Sequence, residues 1–424
     1  RGRTLVPDTW AYTKPGASWS TSSWASDVVL ALAHRAGGDR AIVLLELLGT
    51  LAVLGGLYLL LRRHRASSRA IVFCLACVSL WPFFEERPQL ASMIFVVWLS
   101  WVCDRARRHD GEPSLTLLLA ATWLWACIHG MWVLVPVALL LVVTCRRLDG
   151  DRLSAAGQRR LLAAAALAPL VSMLTPVGPR LLLAPFRVSS AASGRLAEWF
   201  APRLDRPFAW GFVALLVLTL LCWAMGDRRP ARSEVLWVLA VAAYAGLAWR
   251  NLGPACLLIA PVTARALDGR RRGADRFRVP TVAAAALTGV AVLALLLATL
   301  TSPTSPAWAP TKIAARLRAQ PGQVRVLNDY DLGGYLATAG APSVRVAVDG
   351  RADRYGGRFL DRYFALTDGR PGWQSALAGL RPDVAVLSTD TPLVALLTDR
   401  GWHQVTQDKH FVLLVAPGFH LVER

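Results

Sequence analysis

Apolar residues run along the first 300 positions in blocks, with charged residues gathered between them. A helix rises about 1.5 Å per residue, so about 20 apolar residues cross a hydrocarbon core about 30 Å thick. Four runs read as single spans: 41–61, 161–174, 208–225 and 280–300. Three longer stretches are each interrupted once. The stretch 70–102 is broken by Glu85-Glu86-Arg87-Pro88, 114–143 by His129-Gly130, and 235–264 by Trp249-Arg250-Asn251-Leu252-Gly253-Pro254. Every one of these stretches is flanked at both ends by arginines, and basic clusters stay on the cytoplasmic side. Two flanks on one side require two passes, so each stretch is expected to be a helical hairpin. The expected fold class is therefore a polytopic α-helical membrane protein of about ten spans. The five loops then placed inside hold 21 Arg, and the four placed outside between spans hold 7.

The hairpin arms have another consequence. Each holds about 14–16 apolar residues, or roughly 21–24 Å of helix, short of the hydrocarbon thickness. The tips carrying Glu85, Glu86, Arg87, His129, Arg250 and Asn251 are then sunk below the outer surface. Charged groups at that depth face a wet cavity or one another, so the three tips predict a pocket open to the outside.

Three domains follow: 1–40 as a first extracytoplasmic loop, 41–301 as the transmembrane helical domain with an outer loop 175–207, and 302–424 as linker and extracytoplasmic domain. Within the outer loop, 181–200 alternates apolar and basic residues, as an interfacial amphipathic helix does; an ordinary connecting loop is the alternative. The Pro-rich stretch 302–310 reads as a linker. Beyond it, 324–327, 344–348 and 384–387 read as strands with helical segments between them, 391–400 as a helix, and 404–406 with 411–415 as a closing hairpin. This is a small α/β domain with three parallel strands. The chain opens at Arg1 with neither Met nor signal peptide. A preceding segment is therefore expected, and a cytoplasmic start to it would need an eleventh span.

Composition agrees with the pattern. The 424 residues are 54% hydrophobic and 18% charged, against about 45–50% and 25% in soluble domains. The net charge of +19 would suit nucleic acid, but the arginines lie in short clusters between apolar runs, as in cytoplasmic loops. No nucleic-acid partner is expected. The seven cysteines lie in or beside apolar segments and read as small buried hydrophobes, the Cys74/Cys77 pair included. No Gly-rich phosphate loop, zinc spacing or nucleophile elbow is present.

Several short motifs recur in an order that resembles the C-type glycosyltransferase superfamily, the lipid-phosphosugar-dependent membrane enzymes. The resemblance is to a poorly characterised bacterial branch with an extracytoplasmic C-terminal domain. They are Pro7-Asp8-Thr9-Trp10 with Pro15-Gly16 and Trp19; Glu86-Arg87-Pro88-Gln89-Leu90; His129-Gly130; Thr175-Pro176-Val177-Gly178; Glu198-Trp199; Arg250-Asn251; Asn328-Asp329-Tyr330-Asp331-Leu332-Gly333-Gly334-Tyr335; and Val348-Asp349-Gly350-Arg351-Ala352-Asp353.

The resemblance implies a transferase in the bacterial cytoplasmic membrane, with a polyprenyl-phosphate sugar as donor and an envelope glycan, lipid or protein as acceptor. It puts the catalytic base at Asp8, where many members carry a second acid and this chain has Thr9. That departure weakens the metal-binding or catalytic reading, and no metal ligand is assigned. Such chemistry needs a base for the acceptor hydroxyl and cations for the phosphate. Arg87 and Arg250 are the phosphate candidates. Glu85, Glu86, His129, Glu198 and Asn251 are candidates to orient substrate. Asp331, Asp349, Arg351 and Asp353 are candidates in the outer domain, where Asp349, Arg351 and Asp353 together could bind a sugar or cap the pocket.

Each has a structural alternative: a turn or cap at Asp8, a local Glu86–Arg87 ion pair, a tight turn at His129-Gly130, an anchor from Glu198 to Arg195, a helix cap at Asn251. A non-catalytic scaffold or a lipid- or glycan-binding protein of the same fold is the competing function. A transporter would place its charges near mid-bilayer on broken helices, whereas these gather towards one face.

Overall fold

Each interrupted apolar stretch folds as two helices with a break at the polar residues. In chain order the helices are α1 (Trp24–Leu61), α2 (Ala66–Leu80), α3 (Pro88–Arg108), α4 (Leu115–Ile128), α5 (Leu134–Leu148), α6 (Ala155–Ser172), α7 (Arg180–Ala192), α8 (Ala209–Met225), α9 (Arg232–Leu247) and α10 (Leu252–Asp268). The computed structural model describes residues 6–7, 9–14, 18–19, 21–85, 87–108, 113–150, 154–226, 229–269, 286, 289–290, 293–294, 297 and 308–422. The expected span 280–300 therefore falls largely outside the described residues, as do Asp8 and Glu86.

Local chemistry sets the breaks. After α2 a 3₁₀ turn, Trp81–Phe83, carries Pro82, and α3 restarts on Pro88, a residue suited to a first helical turn. The other two breaks share one geometry: an extended residue, then a 3₁₀ turn. His129 (φ −162°, ψ 152°) precedes Gly130–Val133, and Ala248 (φ −160°, ψ 144°) precedes Trp249–Asn251. Ser114 caps α4 by accepting the Leu117 N–H, and Ser154 caps α6 by accepting that of Gly157.

One expectation needs correction: α1 begins at Trp24, inside the stretch expected as an outer loop, and runs 38 residues. It kinks at Gly37 and Gly38, where φ of 60° at Gly38 suits glycine. The helix α3 has 21 residues, but its last turn is basic, and its apolar part, 90–103, is about 21 Å long. Among the described residues three helices, Trp24–Leu61, Ala66–Phe83 and Gly130–Leu148, are long and apolar enough to cross a membrane.

The chain forms two units. In the helical unit (Thr21–Pro185 and Leu196–Thr304), α10 is the central element. It packs on α2, α3, α8 and α9, and every residue from Leu252 to Ala264 is buried. Gly253 makes this possible, since a Cβ there would lie 2.7 Å from the Phe83 ring. The surrounding helices turn large apolar side chains outward, among them Leu44, Leu59, Leu124, Leu140, Val217 and Leu239. Soluble monomers rarely expose so much apolar surface; the unit is built as a membrane protein is.

The helix ends opposite the tips are tied by charge. Asp104 of α3 meets Arg265 of α10 at 2.6 Å and Arg108 at 2.8 Å. Arg265 also reaches Glu234 of α9 at 3.1 Å. His64 bonds Asp268 at 2.7 Å.

The second unit (Arg1–Ser20, Phe186–Arg195 and Ser305–Arg424) holds a two-stranded ladder and a mixed sheet. The ladder is β1 (Val6–Pro7) against β2 (Ser18–Trp19). The sheet has β3 (Val324–Asn328), β4 (Val344–Val346), β5 (Val384–Ser388), β6 (His403–Asp408) and β7 (Phe411–Val415) in the order β4-β3-β5-β7-β6. β4, β3 and β5 are parallel, as expected, while the closing hairpin adds β7 antiparallel to β5. The helices here are α11 (Thr311–Arg318), α12 (Gly333–Ala339), α13 (Ala352–Tyr355), α14 (Gly357–Thr367), α15 (Trp373–Leu380) and α16 (Pro392–Thr398). Gly333 starts α12 so close to the Val348 carbonyl and the Asp349 backbone that no side chain fits. None of the seven cysteines is in a disulfide; Cys74 is half-buried and the rest are buried.

Candidate functional site

Two of the three hairpin breaks deliver an arginine to one carboxylate. Arg250, in the break before α10, places Nη1 3.0 Å from Glu198 Oε1. Arg87, in the break before α3, places Nη1 3.5 Å from Glu198 Oε2. Glu198 itself sits in a 3₁₀ turn, Ala197–Trp199. The arrangement is asymmetric. The Arg250 side chain is only 15% exposed and lies over the Trp199 ring at 4.5 Å. The Arg87 side chain is 62% exposed and also pairs with Glu85 at 3.0 Å. Arg250 is thus the fixed cation of the pair and Arg87 the adaptable one. The backbone adds a further tie, with Trp249 N–H donating to Phe200 O at 2.9 Å.

His129, at the third break, lies within electrostatic reach of Arg250. Its Nδ1 is buried and makes no hydrogen bond among the described residues. Asn251 turns elsewhere: its side chain donates to Tyr244 O at 2.8 Å, and it makes no capping bond to α10. It is the one described tip candidate held away in a local structural bond. The alternative anchor between Glu198 and Arg195 is not formed. Arg195 makes a bidentate pair with Asp361 of α14 at 2.6 and 2.8 Å, which leaves Glu198 to the two tip arginines.

Beside Arg87 lies a cavity of ≈ 330 Å³. Its walls are mainly aliphatic, from α1, α3 and α4 (Val29, Ile42, Leu45, Leu90, Ile94, Ile128), and its charged lining is Glu46, Glu85 and Arg87. Glu46 is buried, one turn from Gly49 on α1. A charge inside a span is costly, and the sequence leaves Glu46 to snorkel outward or to pair with a tip arginine; here it lines the cavity wall.

The candidates of the second unit separate into two groups. Asp349 is buried and bound by Arg351 at both oxygens, through Nε at 2.8 Å and Nη2 at 2.5 Å. Arg351 lies over Trp10 at 5.2 Å, so the pair fastens the N-terminal segment. Asp353 is in the first turn of α13. Asp331 instead lines a cavity of ≈ 440 Å³ with Asp329, a residue the sequence reading left aside. Asp8 and Glu86 lie outside the described residues. Among the described residues no three His, Cys, Asp or Glu side chains are grouped to hold a metal ion.

No protein-family model matches the chain, and no curated protein does. Among solved structures, the Archaeoglobus fulgidus oligosaccharyltransferase, tethered with an acceptor peptide containing the NVT sequon via a disulfide bond, is similar at a TM-score of 0.44 and 11% identity. The match covers 91% of this chain and 62% of that one. The chain therefore spans less than two thirds of that protein, and at this score the activity has to be read from the site itself.

Proposed function

We propose that the chain is an integral-membrane glycosyltransferase of the C-type superfamily, moving a sugar from a polyprenyl-phosphate donor to a cell-envelope acceptor on the outer face of a bacterial cytoplasmic membrane. The observation that carries it is the convergence of Arg87 and Arg250 on Glu198 beside an aliphatic cavity. Two guanidiniums held by one carboxylate form a site that a phosphate can take over, because phosphate accepts the same forked hydrogen bonds. The cavity supplies apolar wall for the first prenyl units, and Glu46 and Glu85 in its lining suit sugar hydroxyls.

The donor phosphate would displace Glu198, which then serves to keep the arginines in place in the empty site. His129 and Glu86 would orient the sugar. Asp8 would accept the proton of the acceptor hydroxyl as that oxygen attacks the anomeric carbon. The polyprenyl phosphate would leave against the arginine charges with inversion. On this reading residues 302–424 face outside.

One observation favours the second reading, a non-catalytic scaffold or lipid-binding protein: both described tip arginines already have carboxylate partners. The test offers the nanodisc-embedded chain a panel of polyprenyl-phosphate hexoses and pentoses and follows release of polyprenyl phosphate. Turnover of one donor, lost in Asp8→Asn, supports the transferase. Turnover that survives Asp8→Asn removes Asp8 as base. Binding without turnover of any donor establishes the scaffold.

A further inference from the structure

The second unit holds a cavity that the transfer chemistry does not use. It opens at the carboxyl ends of β3 and β5, the two adjacent parallel strands at the centre of the sheet. From β3 the chain crosses to β4 on one side; from β5 it passes to β6 and β7 on the other. The loops leaving β3 and β5 therefore diverge and leave a crevice between them. Such topological switch points are where open α/β sheets bind ligands. Asp329 directly follows β3, and Ser388 ends β5; Asp329 Oδ2 accepts the Ser388 N–H at 2.7 Å across the gap. At ≈ 440 Å³ the cavity has the size of small-ligand sites.

Its lining selects the ligand. Asp329, Asp331 and His410 line it, and among the described residues no Lys or Arg does, so phosphates, nucleotides and anionic headgroups are disfavoured. Its apolar wall is mostly aromatic. Trp308 is 45% exposed, yet its ring is set against Tyr335 (6.3 Å) and Phe411 (6.4 Å). Tyr330 and Phe364 form a second pair, 5.8 Å between centroids. A lipid tail would leave the carboxylates unmatched. A pyranose matches both parts, with an apolar C–H face for a ring and vicinal hydroxyls for a carboxylate. Burial also lifts Asp329 to about 6, so its carboxyl can donate as well as accept near that pH.

We infer that the cavity between the β3 and β5 loops is a carbohydrate-binding site for a neutral hexose unit, with Trp308 as its stacking ring and Asp329 and Asp331 as its hydroxyl ligands. This goes beyond the transferase reading and holds whether or not the helical unit transfers a sugar.

The full chain in nanodiscs is incubated on an array of neutral glucan, mannan and galactan oligosaccharides and on a matched array of cationic peptides. Retention of at least one neutral oligosaccharide is expected, weakened tenfold or more by Trp308→Ala and by Asp331→Ala. Trp308→Phe, which keeps a ring, is expected to retain most binding and so separates loss of stacking from misfolding. Arg250→Gln, in the helical unit, is expected to leave retention intact, so failure of donor turnover and failure of this site are read separately. Oligosaccharide retention no higher than that of Trp308→Ala, or retention of peptides alone, overturns the inference.

Discussion

Arg250 and Glu198, 52 residues apart, meet at 3.0 Å, and the same guanidinium covers Trp199 at 4.5 Å. The loop ahead of α8 is thereby clipped to the break before α10. Both side chains are largely removed from solvent, so the pair is worth more than a surface ion pair. Glu198→Gln is expected to lower stability by about 1–2 kcal/mol. Its effect on anion binding has the opposite sign, because it removes the group that competes with phosphate. Titrating nanodiscs with polyprenyl phosphate should show tighter binding in Glu198→Gln and binding roughly ten- to a hundredfold weaker in Arg250→Gln. Equal affinity in all three proteins would remove the arginine pair as a phosphate site.

Gly253 tests the packing that places Arg250. A methyl there would sit 2.7 Å from Phe83, whereas one at Gly246 on α9 meets nothing within 4 Å. Gly253→Ala is expected to lose about 1–3 kcal/mol through overpacking. Gly246→Ala should be neutral or stabilising by up to about 1 kcal/mol, the difference in helix propensity. Thermal unfolding of the two variants should separate them by sign. If Gly253→Ala unfolds no earlier than the parent, the close α10–Phe83 approach is wrong.

The hairpin breaks were legible because each is written locally, in prolines, glycines and charges that interrupt an apolar run. The three parallel strands were legible as short Val-rich runs. What escaped depends on distant partners or on mixed composition. The start of α1 was hidden because Asp27, His34, Arg35, Asp39 and Arg40 dilute the apolar signal that marks a span. Arg195 finds its partner Asp361 166 residues away, and no local pattern announces that pair. The Glu198 bridge has the same origin: two breaks 163 positions apart reach one carboxylate only once α2, α3 and α10 have packed.

At the other end of the helices Asp104 is the keystone of the charge cluster. It is 8% exposed and faces Arg265 and Arg108 at 2.6 and 2.8 Å, with Arg107 at 3.8 Å. Asp104→Asn leaves these guanidiniums with less compensating charge in a partly buried place, which costs about 3–5 kcal/mol when a buried pair is broken. The variant should unfold earlier in nanodiscs. Arg265→Lys, which keeps the charge but not the fork, should lose less. Equal unfolding temperatures for Asp104→Asn and the parent would show that the cluster adds nothing to stability.

Asp329 gives a pH dependence with a definite sign. Burial raises its carboxyl from 3.8 to about 6, and the neighbouring Asp331 charge pushes the same way, while the Ser388 N–H opposes them. His410 lines the same cavity and, when protonated, would pull the value down. Between pH 3.8 and 6 the folded protein binds more protons at this position than the unfolded chain, so its stability falls as pH rises through that window. The stabilisation is fully present below 3.8 and lost above about 6. Asp329→Asn, which keeps an acceptor for Ser388, should remove this slope and leave a flatter stability profile. Carbon-13 titration of the Asp329 carboxyl should give a midpoint near 6, moving down in Asp331→Asn. A midpoint near 4, unmoved by Asp331→Asn, would mean that water reaches the crevice freely and that the carboxyl is not shielded there.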